Sequence, residues 1–486
     1  MILSSRIILP HQHLMLKHSL LFILCVLTIS LFAKKRNGFT PEVNISQTTL
    51  VSSGSDLPFW MVSNSNGVFS LHHSGYLLFQ AGLKRGLERD SLKKWGYTYG
   101  TNLVLGQAGS SDFFPNEYWL GLRYHSFILK VGAEAEPVRY GGLSSTNGKM
   151  YNSGNARPVP GLSLSTNGYI PFIFAKSWLS YRGRFEEGML WDDQAVTGAH
   201  LHHKNLYAKA VVSPTLSVSF GLEHYVFWGG NSTVNGQQPG FSEYFRYIFG
   251  LKGGTEATLS DQENVAGNQL GSYNLEVKKE WKNMTASFYW NHPFEDKSGM
   301  ELVNLPDGLW GIHLSKKDKS ALVTDFVYEY MYTLNQSGSY HLQPAPTPSD
   351  PNRRTGRGMD TYFSHGLYTS GFTHYQNMMG TPLFVPVIGA DGISTGFSST
   401  RMWMHHMGIS GALGGGFFWK SMLTLSRNFG NYSAPLPNPL NECSVLAECR
   451  YLSSKLPFEL KGGVAADYGS RFEHRYGGYV GIGIHF

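Results

Sequence analysis

Nineteen histidines in a chain of 486 residues bring metal binding and acid–base chemistry to mind first. His200, His202 and His203 cluster beside Lys204, and His405 and His406 form a second pair. A zinc site needs three or four ligands converging on one point. Neighbouring residues of an extended chain point to opposite faces, so His202 and His203 cannot share an ion, and no metal is expected. A Ser-His-Asn site on a sheet wall would be the enzymatic alternative. Serines abound without any one being singled out, however, and no carboxylate pair stands out. Asp192, Asp193 and Asp467 read as solvated acids of loops or rims. The residues favour a protein that is not an enzyme and carries no cofactor.

Recognition chemistry is better represented. Trp191 and Trp228 could stack on sugar rings, and arginines such as Arg157 and Arg246 could pair with acidic sugars. These four are the candidate site residues. The competing reading is that each orders its own loop, or, for the tryptophans, sits in an aromatic girdle at a bilayer edge.

The elements that must position these side chains alternate with a period of two. In the final stretch Val480, Ile482, Ile484 and Phe486 share one parity, with Tyr479, Gly481, Gly483 and His485 on the other. Successive side chains of a strand face opposite ways, so one face is apolar and ends in an aromatic residue. The same alternation recurs from Trp95 onward, as in Tyr118–Tyr124, Phe127–Ala133, Leu206–Val212, Leu216–Leu222 and Leu322–Tyr332. Arg123, Lys130, Lys209, Asp325, Glu329, Glu448, Arg450, Glu459, Lys461 and Asp467 fall opposite the apolar parity. They read as a lumen of mixed sign, either a self-neutralised interior network or a surface that holds or conducts a ligand.

Short turns alternate with long connections at 136–161, 187–200, 229–270, 292–308, 334–401 and 428–442. Outer-membrane barrels have short periplasmic turns and longer outer loops. The fold expected is therefore all-β, a membrane-spanning antiparallel up-and-down barrel of about 16–18 strands, the larger number if Glu42–Ser52 and Gly75–Arg85 are strands. Residues 34–94 are read as first strands or as a periplasmic cap or plug, and 95–486 as the barrel. The Pro- and Arg-rich segment 343–358 reads as an irregular surface loop.

Composition agrees with this. Charged residues make up 15%, aromatics 14%, and there are 56 glycines, while mean hydropathy is only −0.21. That suits strands greasy on one side and excludes a helical membrane protein, which needs runs of about 20 apolar residues. Residues 19–33 are apolar and follow Lys17, the pattern of a signal peptide over residues 1–33, a single anchoring helix being the alternative. Its removal takes Arg6 and Lys17 and lowers the net charge from +6 to +4, too mild to imply nucleic acid. Cys443 and Cys449, six apart on one strand, are too far apart for a disulfide and read as packing residues.

Several stretches together resemble the capsule assembly Wzi family, in a Bacteroidetes-type form. They are LPFWMVSNSNGVF from Leu57, NARPVPGLSLSTNGYIP from Asn155, LHHKNLYAK from Leu201, FWGGNS from Phe227, NHPFEDKSGM from Asn291, PDGLWGIHL from Pro306, GMDTYFSHGLYTSGFTHY from Gly358, MGTPLF from Met379 and MHHMGISG from Met404. The resemblance implies an outer-membrane barrel of roughly eighteen strands in a Gram-negative bacterium, partly closed by a periplasmic N-terminal element. It also implies a lectin-like, non-catalytic role in attaching or organising capsular polysaccharide or exopolysaccharide. Polysaccharide, outer-membrane lipid and the barrel-insertion machinery are the partners expected; a porin or substrate-specific channel is the alternative function.

Overall fold

The computed structural model describes residues 41–485 apart from 70–72, 88–92, 109, 176, 259–260, 263–264, 337, 339–340, 345–349, 353, 453–454 and 456. The expected signal peptide and Phe486 lie outside the described residues. Eighteen antiparallel strands close on themselves. They are β1 (Glu42–Ser52), β2 (Gly75–Arg85), β3 (Trp95–Ala108), β4 (Ser110–Tyr124), β5 (Phe127–Ala133), β6 (Gly161–Thr166), β7 (Leu179–Met189), β8 (His200–Ser213) and β9 (Leu216–Trp228). The ring continues with β10 (Asn268–Glu280), β11 (Met284–Phe294), β12 (Gly308–Lys316), β13 (Asp325–Tyr332), β14 (Met402–Gly414), β15 (Phe417–Gly430), β16 (Pro435–Leu452), β17 (Phe458–Gly469) and β18 (Arg475–His485). The seam is β18 against β1, in register from Asn44 opposite His485 to Ser52 opposite Gly477. Among the described residues, closure leaves no edge strand in this ring, the condition for strands to cross hydrocarbon. The two early segments, Glu42–Ser52 and Gly75–Arg85, are thus wall strands.

The alternation read from the sequence decides which way each residue faces. On β13, Asp325, Val327, Glu329 and Met331 are buried inside while Phe326, Tyr328, Tyr330 and Tyr332 look outward. On the outer face Leu120, Leu122, Leu129, Leu162, Leu164, Leu206, Phe220 and Leu222 are all exposed, the belt that lipid covers. Cys443 and Cys449 share the outward parity of Val445 and Ala447 on β16, and Cys449 is exposed. They are wall-surface residues rather than packing residues.

Turns of two or three residues join β4 to β5, β8 to β9, β10 to β11 and β14 to β15 at one end. Connections 53–74, 134–160, 229–267 and 333–401 all leave the other end, the outer one by the usual polarity. The expected long connection at 428–442 is instead a four-residue turn, 431–434, because β15 and β16 extend to meet it. Pro435 begins β16, where a missing N–H does least harm to the ladder. Within 343–358 the chain forms part of a short ladder, His341–Pro344 against Arg354–Arg357, rather than a wholly irregular loop.

Three of the outer-end connections turn back into the barrel. They contribute a one-turn helix α1 (Phe59–Val62), the segment 134–160 and much of 358–400. Phe59, Trp60, Tyr140, Leu143, Met150, Tyr151, Phe363, Phe372 and Phe384 meet Tyr225, Tyr289, Leu309, Met331, Met404 and Met422 of the wall in one apolar cluster. A sequence read as having a polar lumen therefore has an apolar core in its outer half. At Gly408 of β14 the approach is so close that a Cβ would lie 2.6 Å from the Leu143 carbonyl oxygen.

Buried backbone needs partners, and the wall supplies them. Glu329, fully buried, accepts four hydrogen bonds: from the Ser144 hydroxyl, from both the amide (2.7 Å) and the hydroxyl of Ser145, and from Tyr289 (2.7 Å). Met150 donates its amide to Asn291 at 2.8 Å and Lys149 pairs with Glu223 at 2.7 Å. The Trp60 indole donates to Thr424 at 3.0 Å, and the Phe59 amide to Asp467 at 2.8 Å. Asp467 is buried and bonded to Arg475 at 2.7 Å, so it is an anchor and not a solvated rim acid. Elsewhere inward charges neutralise one another, as in Lys130 with Glu134, Lys420 with Glu448 and Arg450 with Glu459.

Replacing Glu329 by Ala strands donors of both wall and inner segment and is expected to cost about 3–5 kcal/mol. The variant barrel should lose its folded gel mobility at a clearly lower temperature than the parent, and an unchanged transition would contradict this role.

Candidate functional site at the outer mouth

With the lumen filled from above, the surface on offer at the outer end is the rim of the inward-folded segments. Arg157 lies there, on segment 134–160. Its guanidinium stacks over Phe114 at 3.5 Å and over Tyr375 at 4.2 Å, and its Nε donates to the Gly67 carbonyl at 3.2 Å. Burial pulls this guanidinium below its ordinary value, opposed by Tyr375. Trp191 is 61% exposed and stacks against Tyr118, with ring centroids 6.4 Å apart. The two belong to one neighbourhood, because Asp192 accepts the Tyr375 amide at 2.6 Å and a Gln194 side-chain N–H at 2.7 Å. His374 Nδ1 bonds the Arg157 carbonyl at 2.9 Å, and its Nε2 is 3.8 Å from Asp192. Burial, set against the nearby Asp192, holds His374 below the usual imidazole range. Asp192 is therefore an anchor of the 373–378 turn rather than a solvated acid, while Asp193 is exposed.

Beside this rim, across segments 63–69 and 375–378, is a cavity of about 300 Å³. Phe59, Phe69 and Phe472 give it apolar walls, and Asp56, Arg471 and Arg475 give it charge. Arg471 donates through Nη2 to the Leu383 carbonyl, while its buried Nη1 has no hydrogen-bond partner among the described residues. Burial pulls this guanidinium down to about 10, against the opposing charge of Glu442. Aromatic faces next to a cation with a donor to spare suit a ring bearing hydroxyl or carboxylate groups. Arg471 and Phe472 were not among the sequence candidates. The available signal was an aromatic residue between cations in the short turn before the last strand.

Trp228 and Arg246 are elsewhere. Trp228 ends β9 on its outward parity and is covered by Tyr244 and Tyr247 of helix α2 (Tyr244–Phe249), and it donates to Glu187 at 3.3 Å. The connection 229–267 thus packs against the outer flank of the wall, with Val226 and Ile248 in the same small cluster. Arg246 lies on that helix, paired with Glu243 at 2.8 Å. The structure therefore brings Arg157 and Trp191 together and sets Trp228 and Arg246 apart from them. The histidines have local partners: His202 bonds Glu187 on the outer face and His203 lies 3.6 Å from Glu186 on the inner one. His406 bonds Thr424 and the Leu143 carbonyl inside the core.

A closed antiparallel barrel with a lipid-facing apolar belt, short turns at one end and loops folded into its lumen from the other defines an outer-membrane β-barrel. Residues 89–389 match the family model described as Capsule assembly protein Wzi, and the chain belongs to that family. Among solved structures it is similar to Wzi of Escherichia coli, an outer-membrane protein involved in group 1 capsule assembly and described as a carbohydrate-binding β-barrel. That similarity has 14% identity, covers 91% of this chain and 84% of the other, and gives a TM-score of 0.55; at this identity it shows the fold. OpdL and OprD of Pseudomonas aeruginosa share 10% and 8% identity, over 92% of this chain and 98% and 94% of theirs. Their TM-scores of 0.46 and 0.45 are too low to carry an argument. No curated protein matches the chain in sequence.

Asp192→Ala removes acceptors for the Tyr375 amide and Gln194 and is expected to cost about 1–3 kcal/mol locally. Amide hydrogen exchange at residues 373–378 should then speed up by about tenfold or more with the wall strands unchanged. Unaltered protection there would show that Asp192 does not hold the rim.

Proposed function

We propose that this barrel binds capsular polysaccharide or exopolysaccharide at its outer mouth and helps attach it to, or organise it on, the cell surface, without catalysis. The observation that carries the reading is the placement of stacking and cationic side chains on the outer rim of a lumen filled by its own loops. Arg157 with Tyr375, Trp191 with Tyr118, and the Arg471–Phe472 cavity offer repeated ring faces beside cations, the chemistry that takes up hydroxylated and acidic sugar rings. Membership of the Wzi family supports the same reading, as does the carbohydrate binding described for the Escherichia coli protein. The filled outer half favours holding a ligand over conducting one, so a porin function is the weaker alternative.

In this account Arg157 and Trp191 touch the polysaccharide, while Trp228 and Arg246 shape the flank connection. That connection leaves Phe241, Phe245 and Phe249 exposed beside the outer wall, placed to sit among outer-membrane lipid. Insertion by the barrel-assembly machinery would act on a terminal strand such as β18, whose closing partner is β1.

Replacing Arg157, Trp191, Trp228 and Arg246 together by alanine is expected to lower cell-bound polysaccharide several-fold, with polysaccharide shed to the medium and heat-modifiable migration retained. The pair R157A/W191A alone should account for most of that loss. Retention equal to the parent strain in both variants would dismiss this choice of site.

A further inference from the structure

Below the inward-folded segment 134–160, on the side of the barrel facing the short turns, lies a second cavity of about 370 Å³. Its ceiling is Glu136–Arg139 and Lys149; its wall is the inner face of β6 to β10; Gly168, Ser217 and Lys278 line it towards the short-turn end. Small hydroxyl side chains on that wall, Ser165, Ser217 and Ser219, leave the space open.

Six cations line this chamber against two carboxylates. Four of the six are accounted for: Arg139 pairs with Glu276 at 3.0 Å, Lys149 with Glu223 at 2.7 Å, Lys278 with Glu280 at 2.9 Å, and Arg184 with Glu136. Arg182 and Lys209 make no ion pair with any described carboxylate. Both gather around one ring: the Arg182 guanidinium lies 5.1 Å from the Tyr169 centroid and 4.4 Å from that of Tyr207, and the Lys209 ammonium is 5.5 Å from Tyr169. Elsewhere on the inner wall Lys130, Lys420 and Arg450 each have a carboxylate within ion-pair reach, whereas these two cations, with none, converge on a cavity. Like charges brought together on the low-dielectric side of a sheet repel, and an anion between them removes that cost.

We infer that this chamber is an anion site reached from the periplasmic end, taking an acidic sugar unit whose carboxylate or phosphate lies between Arg182 and Lys209 and whose ring rests on Tyr169. The volume is at the small end of ligand pockets, about 300–1,000 Å³, which suits one or two sugar rings and not a longer chain. Asn205 and Ser219 line the same face and offer side-chain hydrogen bonds to ring hydroxyls. The choice of a sugar as carrier of the charge rests on the polysaccharide reading above; the anion site itself does not. A smaller cavity of about 80 Å³ shares Glu136, Asn152 and Arg184 with the chamber and is lined also by Arg157, so the chamber lies beneath the mouth and would give the barrel acid-sugar contacts at both ends.

The test is calorimetric titration of the full-length purified barrel in detergent with D-glucuronate, α-D-glucose 1-phosphate and, as neutral control, D-glucose. At least one acid should bind about tenfold or more tightly than glucose, with affinity falling as salt rises. R182Q/K209Q should weaken that acid about tenfold or more, and R182K/K209R only a few-fold. Preferential binding of glucuronate assigns a carboxylate, and of glucose 1-phosphate a phosphate; either supports the site. Three results would overturn it: neither acid binding, glucose binding as tightly as the acids, or R182Q/K209Q binding like the parent while keeping heat-modifiable migration. Because this is read on purified protein, its failure would leave the mouth account standing, and loss of the mouth account would leave the chamber to be judged on its own titration.

Discussion

The exchange of hydrogen bonds between the inner wall and the loops that fold against it governs the outer half of this barrel. Polar backbone carried into a lumen away from water must find partners there. Glu329 receives donors from Ser144, Ser145 and Tyr289, Asn291 takes the Met150 amide, and Asp467 takes the Phe59 amide while bonded to Arg475. Each links the wall to a loop, or bridges two wall strands under one. With these in place, large apolar side chains can pack inside a membrane barrel as they do in a soluble core. The mouth is then a floor with a shaped surface instead of an opening.

From that floor follow both the position and the chemistry of the sites. Arg157 and Tyr375 come from segments that fold inward, so their geometry is set by core packing, whereas Trp191 and Arg471 come from shorter connections at the rim. Ring faces and guanidinium groups held by a rigid base lose little freedom on binding, an advantage for a ligand that offers only hydroxyls and scattered charge. Below the floor the interior changes character, from apolar to charged, and there the balance of signs is incomplete around Tyr169.

Much of the wall was legible in the sequence because a strand buries one face and greases the other, and side chains must alternate. Asp325 to Tyr332 shows it residue by residue, and Glu42–Ser52 and Gly75–Arg85 are strands at the limits read from the pattern. The inward fold of the loops was not legible. Segments 134–160 and 358–400 have no period, and their Tyr, Phe and Met residues look like girdle or loop aromatics until a wall is opposite them. The same blindness made Asp192 and Asp467 look solvated, since their partners Tyr375, Phe59 and Arg475 are not local in sequence except for the last. Of the four site candidates, Trp228 lies apart from Arg157 and Trp191 for a related reason. Its parity on β9 points it outward, but the connection that covers it there starts only at Gly229 and carries no signal of which side it will take. The long β15–β16 pair was mistaken for a loop because Asn438, Asn441 and several prolines break its composition, and the ladder itself shifts register there, from Asn428 opposite Leu440 to Gly430 opposite Pro435.

Whether the lumen is closed in the membrane is the point on which the rest turns, and single-channel recording of the purified full-length protein in planar lipid bilayers addresses it most directly. The account requires insertion without large, stable conductance steps, because the loops that build the mouth also fill the outer half of the barrel. Sustained currents of the size an open water-filled barrel passes would contradict it, and would return the protein to the class of channels.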